Sequence, residues 1–336
     1  MLTLRKPTFL LPTMQRILPG EVLYQIVEAV LPSNRAILPP SHISTKTLLS
    51  LTRVSREISL RAIELLRERC LYIDSNKKIA QLLLCIPELV PSIRTRFCLR
   101  SITSLYLSPF VGDTLNDLPT ALWVREFFYQ VCRTLRRLVV NMPFESLELL
   151  DDHLDVRRTL RQGFERLDKL EEFVCLGDYP VLGIQDSPTE VWGLWPNLKR
   201  LTIFGAPVDN HWLWWYIASH HNLEQVILAR SLGVETINIK EEYFHKLPRD
   251  DVRLDRDIKI TLLDAAFVWR DVKTSRWNEY DPKGRMTVEL YDVPTSFYGD
   301  ETPRELVTTW VKRGALEGSL WDWKGKVVNG PAENDS

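Results

Sequence analysis

The sequence predicts an α/β protein: a small helical module at the N-terminus, followed by an irregular strand–helix solenoid with a C-terminal cap. Three observations predict it. Apolar residues between positions 20 and 69 recur at helical spacing. From about residue 100 a short strand-like pattern returns every 25 to 35 residues. A chain of 336 residues, 45% of them hydrophobic and 26% charged, has apolar material for two folding units.

The first helix is read over 20–31. Val22, Leu23, Ile26, Val27, Val30 and Leu31 repeat at i, i+1, i+4, i+5, i+8 and i+9, which is one helix face. Pro19 suits a first-turn position, Glu21 complements the positive end of the helix dipole, and Pro32 stops the run. Residues 32–44, with Pro32, Pro39 and Pro40, read as a loop. Helical periodicity returns over 45–55 and 56–69. Residues 71–74 read as a short strand, and Ser75 as the N-cap of a helix over 77–86.

The repeated pattern is apolar-x-x-apolar-x-apolar. It occurs at Ile102, Leu105 and Leu107, at Leu135, Leu138 and Val140, and at Leu170, Phe173 and Cys175. It returns at Leu198, Leu201 and Ile203 and at Leu223, Val226 and Leu228, so the central residues stand 33, 35, 28 and 25 apart. Helical stretches over 119–134, 145–167 and 209–220 fall between the copies. A strand and a helix recurring at this period make a leucine-rich-repeat-like solenoid, irregular here because the spacing is uneven and no Asn or Cys ladder position recurs. After residue 240 the repeat fades. Residues 258–263 and 286–291 read as strands, Pro303 opens a helix over 305–313, and this part would serve as the atypical end cap.

The expected division is a flexible segment over 1–15, the helical module over 16–74, a helical connector over 75–99, the repeat domain over 100–240, an α/β capping region over 241–329 and a disordered tail over 330–336.

Composition narrows the function classes. Residues 1–110 carry 15 Lys and Arg against 7 Asp and Glu, a net of +8, while residues 111–336 carry 28 against 37, a net of −9. The basic residues are spread among leucines without interleaved aromatics, so nucleic acid is not favoured as a partner. No apolar run reaches the length of a membrane helix, and no membrane partner is expected. The cysteines, Cys70, Cys85, Cys98, Cys132 and Cys175, are odd in number and form no CxxC pair, which fits free thiols in a reducing, cytoplasmic or nuclear setting. GxGxxG, GxxxxGK[ST], GxSxG and HExxH are all absent. His211 and His220 are nine apart, not the four of a helical metal pair. The chain therefore reads as a non-enzymatic interaction protein with no metal and no cofactor. Asp151-Asp152 with Asp155, and Asp250-Asp251 with Asp255 and Asp257, read as solvated acidic faces. Trp212, Trp215 and Tyr216 share a helical face from which Trp214 points away. They are either core packing between layers or an anchor for a partner groove.

Residues 18–31, Leu-Pro-Gly-Glu-Val-Leu-Tyr-Gln-Ile-Val-Glu-Ala-Val-Leu, resemble the opening of an F-box, and Leu48-Leu-Ser-Leu-Thr-Arg-Val-Ser-Arg-Glu57 resembles its second element. The chain also resembles F-box-like proteins of filamentous fungi. A Pro-rich insert like 32–44, a Cys-Leu-Tyr-Ile strand like Cys70–Ile73 and a Gly-Ser-Leu-Trp-Asp end like Gly318–Asp322 carry that likeness. The insert lengthens the first connection beyond the family's short turn, and Ile58 or Leu60 stands where an aromatic is usual. The resemblance implies the substrate-recognition subunit of an SCF-type, cullin–RING ubiquitin ligase. Its adaptor-facing residues, toward a Skp-type adaptor and through it the cullin complex, would be Leu18, Pro19, Glu21, Val22, Leu23, Ile26, Leu51 and Val54. The alternatives are that Val22, Leu23, Ile26 and Val27 pack on the solenoid as its N-terminal cap, and that the chain is a repeat scaffold with no ligase. The net +8 front would suit an acidic adaptor.

An unknown protein target would meet the loops that leave the strands' carboxyl ends, because stacked units share that rim. The segments after Cys175, Ile203 and Leu228 should then be neighbours, with Asp178, Tyr179, Asp209 and Arg230 as the contact residues. The net −9 of this part suggests a basic segment in the target.

Overall fold

The computed structural model describes residues 19–34, 36–86, 99, 102–147, 151–184, 189–265, 272–295 and 299–329. Leu18, Cys98, the 1–15 segment and the 330–336 tail lie outside the described residues.

The N-terminal elements are α1 (Gly20–Glu28), α2 (Ile43–Leu51) and α3 (Arg56–Arg69). Pro19 occupies the N-cap position of α1, and its carbonyl accepts from the Val22 and Leu23 N–H groups at 3.0 and 3.2 Å. The helix read over 45–55 stops at Leu51, because Ser55 leaves the helix to accept from the Ile58 N–H at 3.3 Å and cap α3. The three helices close on a small core of Val27, Leu48, Ala62 and Leu65.

Behind them comes β1 (Tyr72–Ile73), then α4 (Asn76–Leu84) and β2 (Ser104–Leu107). Next are α5 (Leu118–Val131), β3 (Arg137–Asn141), α6 (Val156–Phe164) and β4 (Glu172–Leu176). The chain continues through β5 (Arg200–Phe204), α7 (His211–Ser219), β6 (Gln225–Ala229), α8 (Ile239–Phe244) and β7 (Ile258–Ala265). Last are α9 (Trp277–Tyr280), β8 (Met286–Val293), α10 (Pro303–Glu317) and β9 (Lys326–Val327). The nine strands form one open sheet in strict sequence order. Each pair from β1 to β8 is parallel, and β9 runs antiparallel to β8. The five copies of the repeat fall on β2 to β6, and β7 and β8 extend the same parallel order past the point where the sequence pattern fades.

Parallel neighbours need a crossover between them, and the elements between strands pack on one face of the sheet. Leu105, Leu138, Phe173, Leu201 and Val226 point into that core. The residues that alternate with them, among them Tyr106, Val139, Val174 and Ile227, point the other way. That second face is buried as well. Val307, Val311 and Ala315 of α10, with Leu320 and Trp321, lie against it.

The cover is held by polar contacts at the strand starts. Arg137 Nε meets Glu172 Oε2 at 2.7 Å, and Arg200 Nη1 meets Glu172 Oε1 at 3.1 Å. Arg137 Nη2 donates to the Ala315 carbonyl at 2.9 Å, and Trp321 Nε1 to Glu172 Oε2 at 3.3 Å. Lys259 Nζ reaches Glu289 at 2.9 Å and the Trp323 carbonyl at 3.0 Å. Thr302 and Glu305 start α10 with reciprocal cap bonds, and Gly318 ends it at φ 79°, the left-handed region glycine favours.

Candidate functional site

Two surfaces hold the residues singled out from the sequence. The first is the outside of the α1–α3 module. Arg61 ties α1 to α3, donating from Nε to Glu28 at 3.0 Å and from Nη1 to Glu64 at 3.0 Å. With the inner face of each helix closed on the core, large apolar side chains are left outside. Seventeen large apolar side chains stand exposed among the described residues, and seven of them lie between Val22 and Leu60: Val22, Tyr24, Ile26, Ile43, Leu49, Val54 and Leu60. This short stretch thus holds a disproportionate share of the exposed apolar side chains among the described residues.

Of the sequence-predicted adaptor residues, Pro19, Glu21, Val22, Ile26 and Val54 are exposed, with Ile26 at 52% and Val54 at 62%. Leu23 is half-buried, and Leu51 packs partly against the module's own core. Tyr24, Ile43, Leu49 and Leu60 join the exposed set without having been singled out. Periodicity could not find them, since an outward leucine beside an inward one, such as Leu49 next to Leu48, carries the same sequence signal. The charge argument also shifts. Residues 19–74 carry 7 Lys and Arg against 6 Asp and Glu, so the positive excess of the front half lies mostly outside the module.

The second surface is the rim at the carboxyl ends of the strands. The loops after β5 and β6 are neighbours, as their position after consecutive strands requires. Val208 N–H donates to Leu232 O, and Leu232 N–H to Ala206 O, each at 3.1 Å. The four residues predicted to meet a target differ in what they offer. Asp178 is buried, accepts from the Glu145 N–H at 3.2 Å and forms an ion pair with Arg304 of α10. Its carboxylate fastens the helical cover. Tyr179 is half-buried, and burial pushes its hydroxyl well above the ordinary value, with the neighbouring Glu190 adding to the effect. Arg230 is left-handed at φ 51° and lies 3.8 Å from Asp264. Asp209 alone of the four stands exposed.

A cleft of about 670 Å³ opens between the carboxyl ends of β2 to β4 and the first turns of α10. Phe110, Met142 and Leu176 are among its apolar lining, while Asp113, Glu145 and Arg304 bring charge to it. No local pattern announces this cleft, because it forms where α10 returns across the sheet.

The tryptophan-rich helix α7 divides its side chains. Trp214 is fully buried and donates from Nε1 to the Val208 carbonyl at 2.6 Å. Trp212 and Trp215 are exposed and meet edge to face at 5.9 Å, while Tyr216 packs on the buried Trp192. Asp152, read as a solvated acid, caps α6 by accepting from the Val156 and Arg157 N–H groups at 2.7 and 2.9 Å. Among the described residues no three His, Cys, Asp or Glu side chains are grouped to hold a metal, and no helix is long and apolar enough to cross a membrane.

No protein-family model matches the chain. An F-box protein of Arabidopsis thaliana is 29% identical to it over 161 residues, covering 43% of this chain. The match spans 38% of that relative's own length.

Proposed function

We propose that this chain is the substrate-recognition subunit of an SCF-type, cullin–RING ubiquitin ligase. The outer surface of α1–α3 docks a Skp-type adaptor, which joins the chain to the cullin, and the sheet domain recruits a protein target. The observation that carries this reading is the crowding of exposed apolar side chains on residues 22–60, on a module whose sequence is F-box-like. The similarity to an F-box protein supports it. The docking residues are Pro19, Glu21, Val22, Ile26 and Val54, joined by Tyr24, Ile43, Leu49 and Leu60. Leu23 and Leu51 act from behind as packing. Because α10 covers the second face of the sheet, the target surface is the rim, where Asp209 and the cleft beside Glu145 are open.

The test is binding of the purified 336-residue chain to a Skp-type adaptor, followed by calorimetry. Ile26→Asp and Val54→Asp place a charge where apolar contact is expected. Stranding it in a desolvated interface costs roughly 2 kcal/mol or more, a loss of affinity of at least about 30-fold. Both side chains are more than half exposed in the free protein, so thermal stability should stay unchanged. Equal binding by wild type and variants would put the docking surface elsewhere. Failure of the wild type to bind would favour a repeat scaffold unconnected to the ligase.

A further inference from the structure

The insert at 32–44 is the feature that most departs from an F-box, and it does not behave as an ordinary surface loop. Ala36, Ile37 and Leu38 are buried in succession, where connecting segments usually run exposed. The reason lies in the helix ends it meets. The last carbonyls of a helix lack partners within the helix. At the end of α10, Leu316 O accepts from the Ile37 N–H at 2.7 Å, and Glu317 O accepts from Asn34 Nδ2 at 2.6 Å. At the end of α3, Arg69 O accepts from the Leu38 N–H at 2.7 Å. Arg69 returns the contact, donating from Nε to Ala36 O at 3.3 Å and from its Nη2 to Asn34 O.

The insert thus caps two helices at once, one from the N-terminal module and one from the cover of the sheet. Its side chain completes the bridge. Ile37 belongs to the apolar cluster beneath α10, with Tyr106, Val311 and Ala315. Tyr72 and Tyr106 stack beside it with ring centroids 4.2 Å apart, and Lys312 Nζ of α10 lies 4.8 Å from the Tyr106 centroid. At its far end, the insert's Pro39 carbonyl accepts from Thr45 Oγ1 of α2 at 3.0 Å.

We propose that the insert is a strut that holds the α1–α3 module at one fixed angle to the sheet, so that the protein is a rigid spacer between its two partner surfaces. The functional meaning of the strut rests on the ligase reading, in which a target must be held at a set distance from the adaptor. The strut itself can be tested without either partner. Fluorophores on non-natural residues introduced at the exposed positions Lys46 and Glu235 report the distance between module and sheet in the 336-residue chain. Wild type should give a single narrow distance distribution. The pair Asn34→Ala with Ile37→Gly should broaden it at least twofold, while amide exchange in β3 to β6 stays protected. Asn34→Ala alone, which removes only an exposed contact, should broaden it less and cannot be blamed on a lost core side chain. A broad distribution in wild type would overturn the strut. So would a narrow one in the folded double variant. Adaptor affinity, measured separately, should change less than about twofold in these variants. Loss of adaptor binding by wild type would count against the ligase reading and leave the strut standing.

Discussion

Glu190 stands between the Tyr179 hydroxyl, which donates to it, and the guanidinium of Arg161. Loss of water around this carboxyl outweighs both partners and pushes its pKa up to about 7. An unfolded glutamate titrates near its ordinary value of about 4.3. The folded state therefore holds the proton more tightly. The stability linked to that proton is full below the unfolded pKa and is lost as pH rises from there through about 7. Glu190→Gln keeps an oxygen for the Tyr179 hydroxyl and removes the charge. In urea unfolding the variant should match wild type at pH 4 and exceed it by roughly 1–3 kcal/mol at pH 8. An equal difference at both values would mean that ionisation of Glu190 is not the cause.

At the scale of elements, α10 shows how a tertiary contact overrides local propensity. Gly314 lies in the last turns of this helix, where alanine is ordinarily better by about 1 kcal/mol. Yet a Cβ there would stand 2.3 Å from an atom of the Trp323 ring, inside any allowed contact. Trp323 stacks on Tyr291 with centroids 5.0 Å apart and its carbonyl is held by Lys259, so the ring has little room to retreat. Gly314→Ala should therefore destabilise, by about 1–3 kcal/mol as overpacking does. The check is the midpoint of thermal unfolding, and a rise in that midpoint would show that Trp323 moves aside freely.

The same helix marks where the sequence stopped being informative. Alternation of apolar residues located β2 to β6, and Pro303 located the start of α10. The pattern along β3, Leu138, Val139 and Val140, is apolar on both faces. It therefore says that both faces are covered without naming the second cover. That information is held in pairs far apart in sequence, Arg137 with Ala315 and Asp178 with Arg304. The candidate site divides in the same way. An exposed Ile26 and a buried Val27 are both apolar letters on one helix, and only packing tells them apart. Asp178 had the right place at the rim and an internal partner that no local pattern could announce.

For the molecule as a whole, the sheet is a layer with apolar residues on both sides, and its integrity should depend on the last segment of the chain. Tyr106, Val139, Val174, Leu176, Phe204, Ile227 and Leu263 lie on the face that this segment covers, with Ile37 of the 32–44 insert in the same cluster. Val307, Val311 and Leu320, three of the residues that cover them, are fully buried in doing so. Each such side chain contributes roughly 1.5–3 kcal/mol, so together they approach the total stability margin of an ordinary domain, about 5–15 kcal/mol. Removing the cover would also take from Arg137 its bond to the Ala315 carbonyl and from Glu172 its bond to Trp321 Nε1. A chain ending at Glu301 should therefore lose far more than one helix. It should bind a hydrophobic dye, elute as aggregate in gel filtration and show no cooperative urea transition, whereas the full chain should unfold in one step. A truncated chain that stayed monomeric, with its urea midpoint unchanged, would show instead that α10 is a detachable lid and that the strand face beneath it is open to a partner.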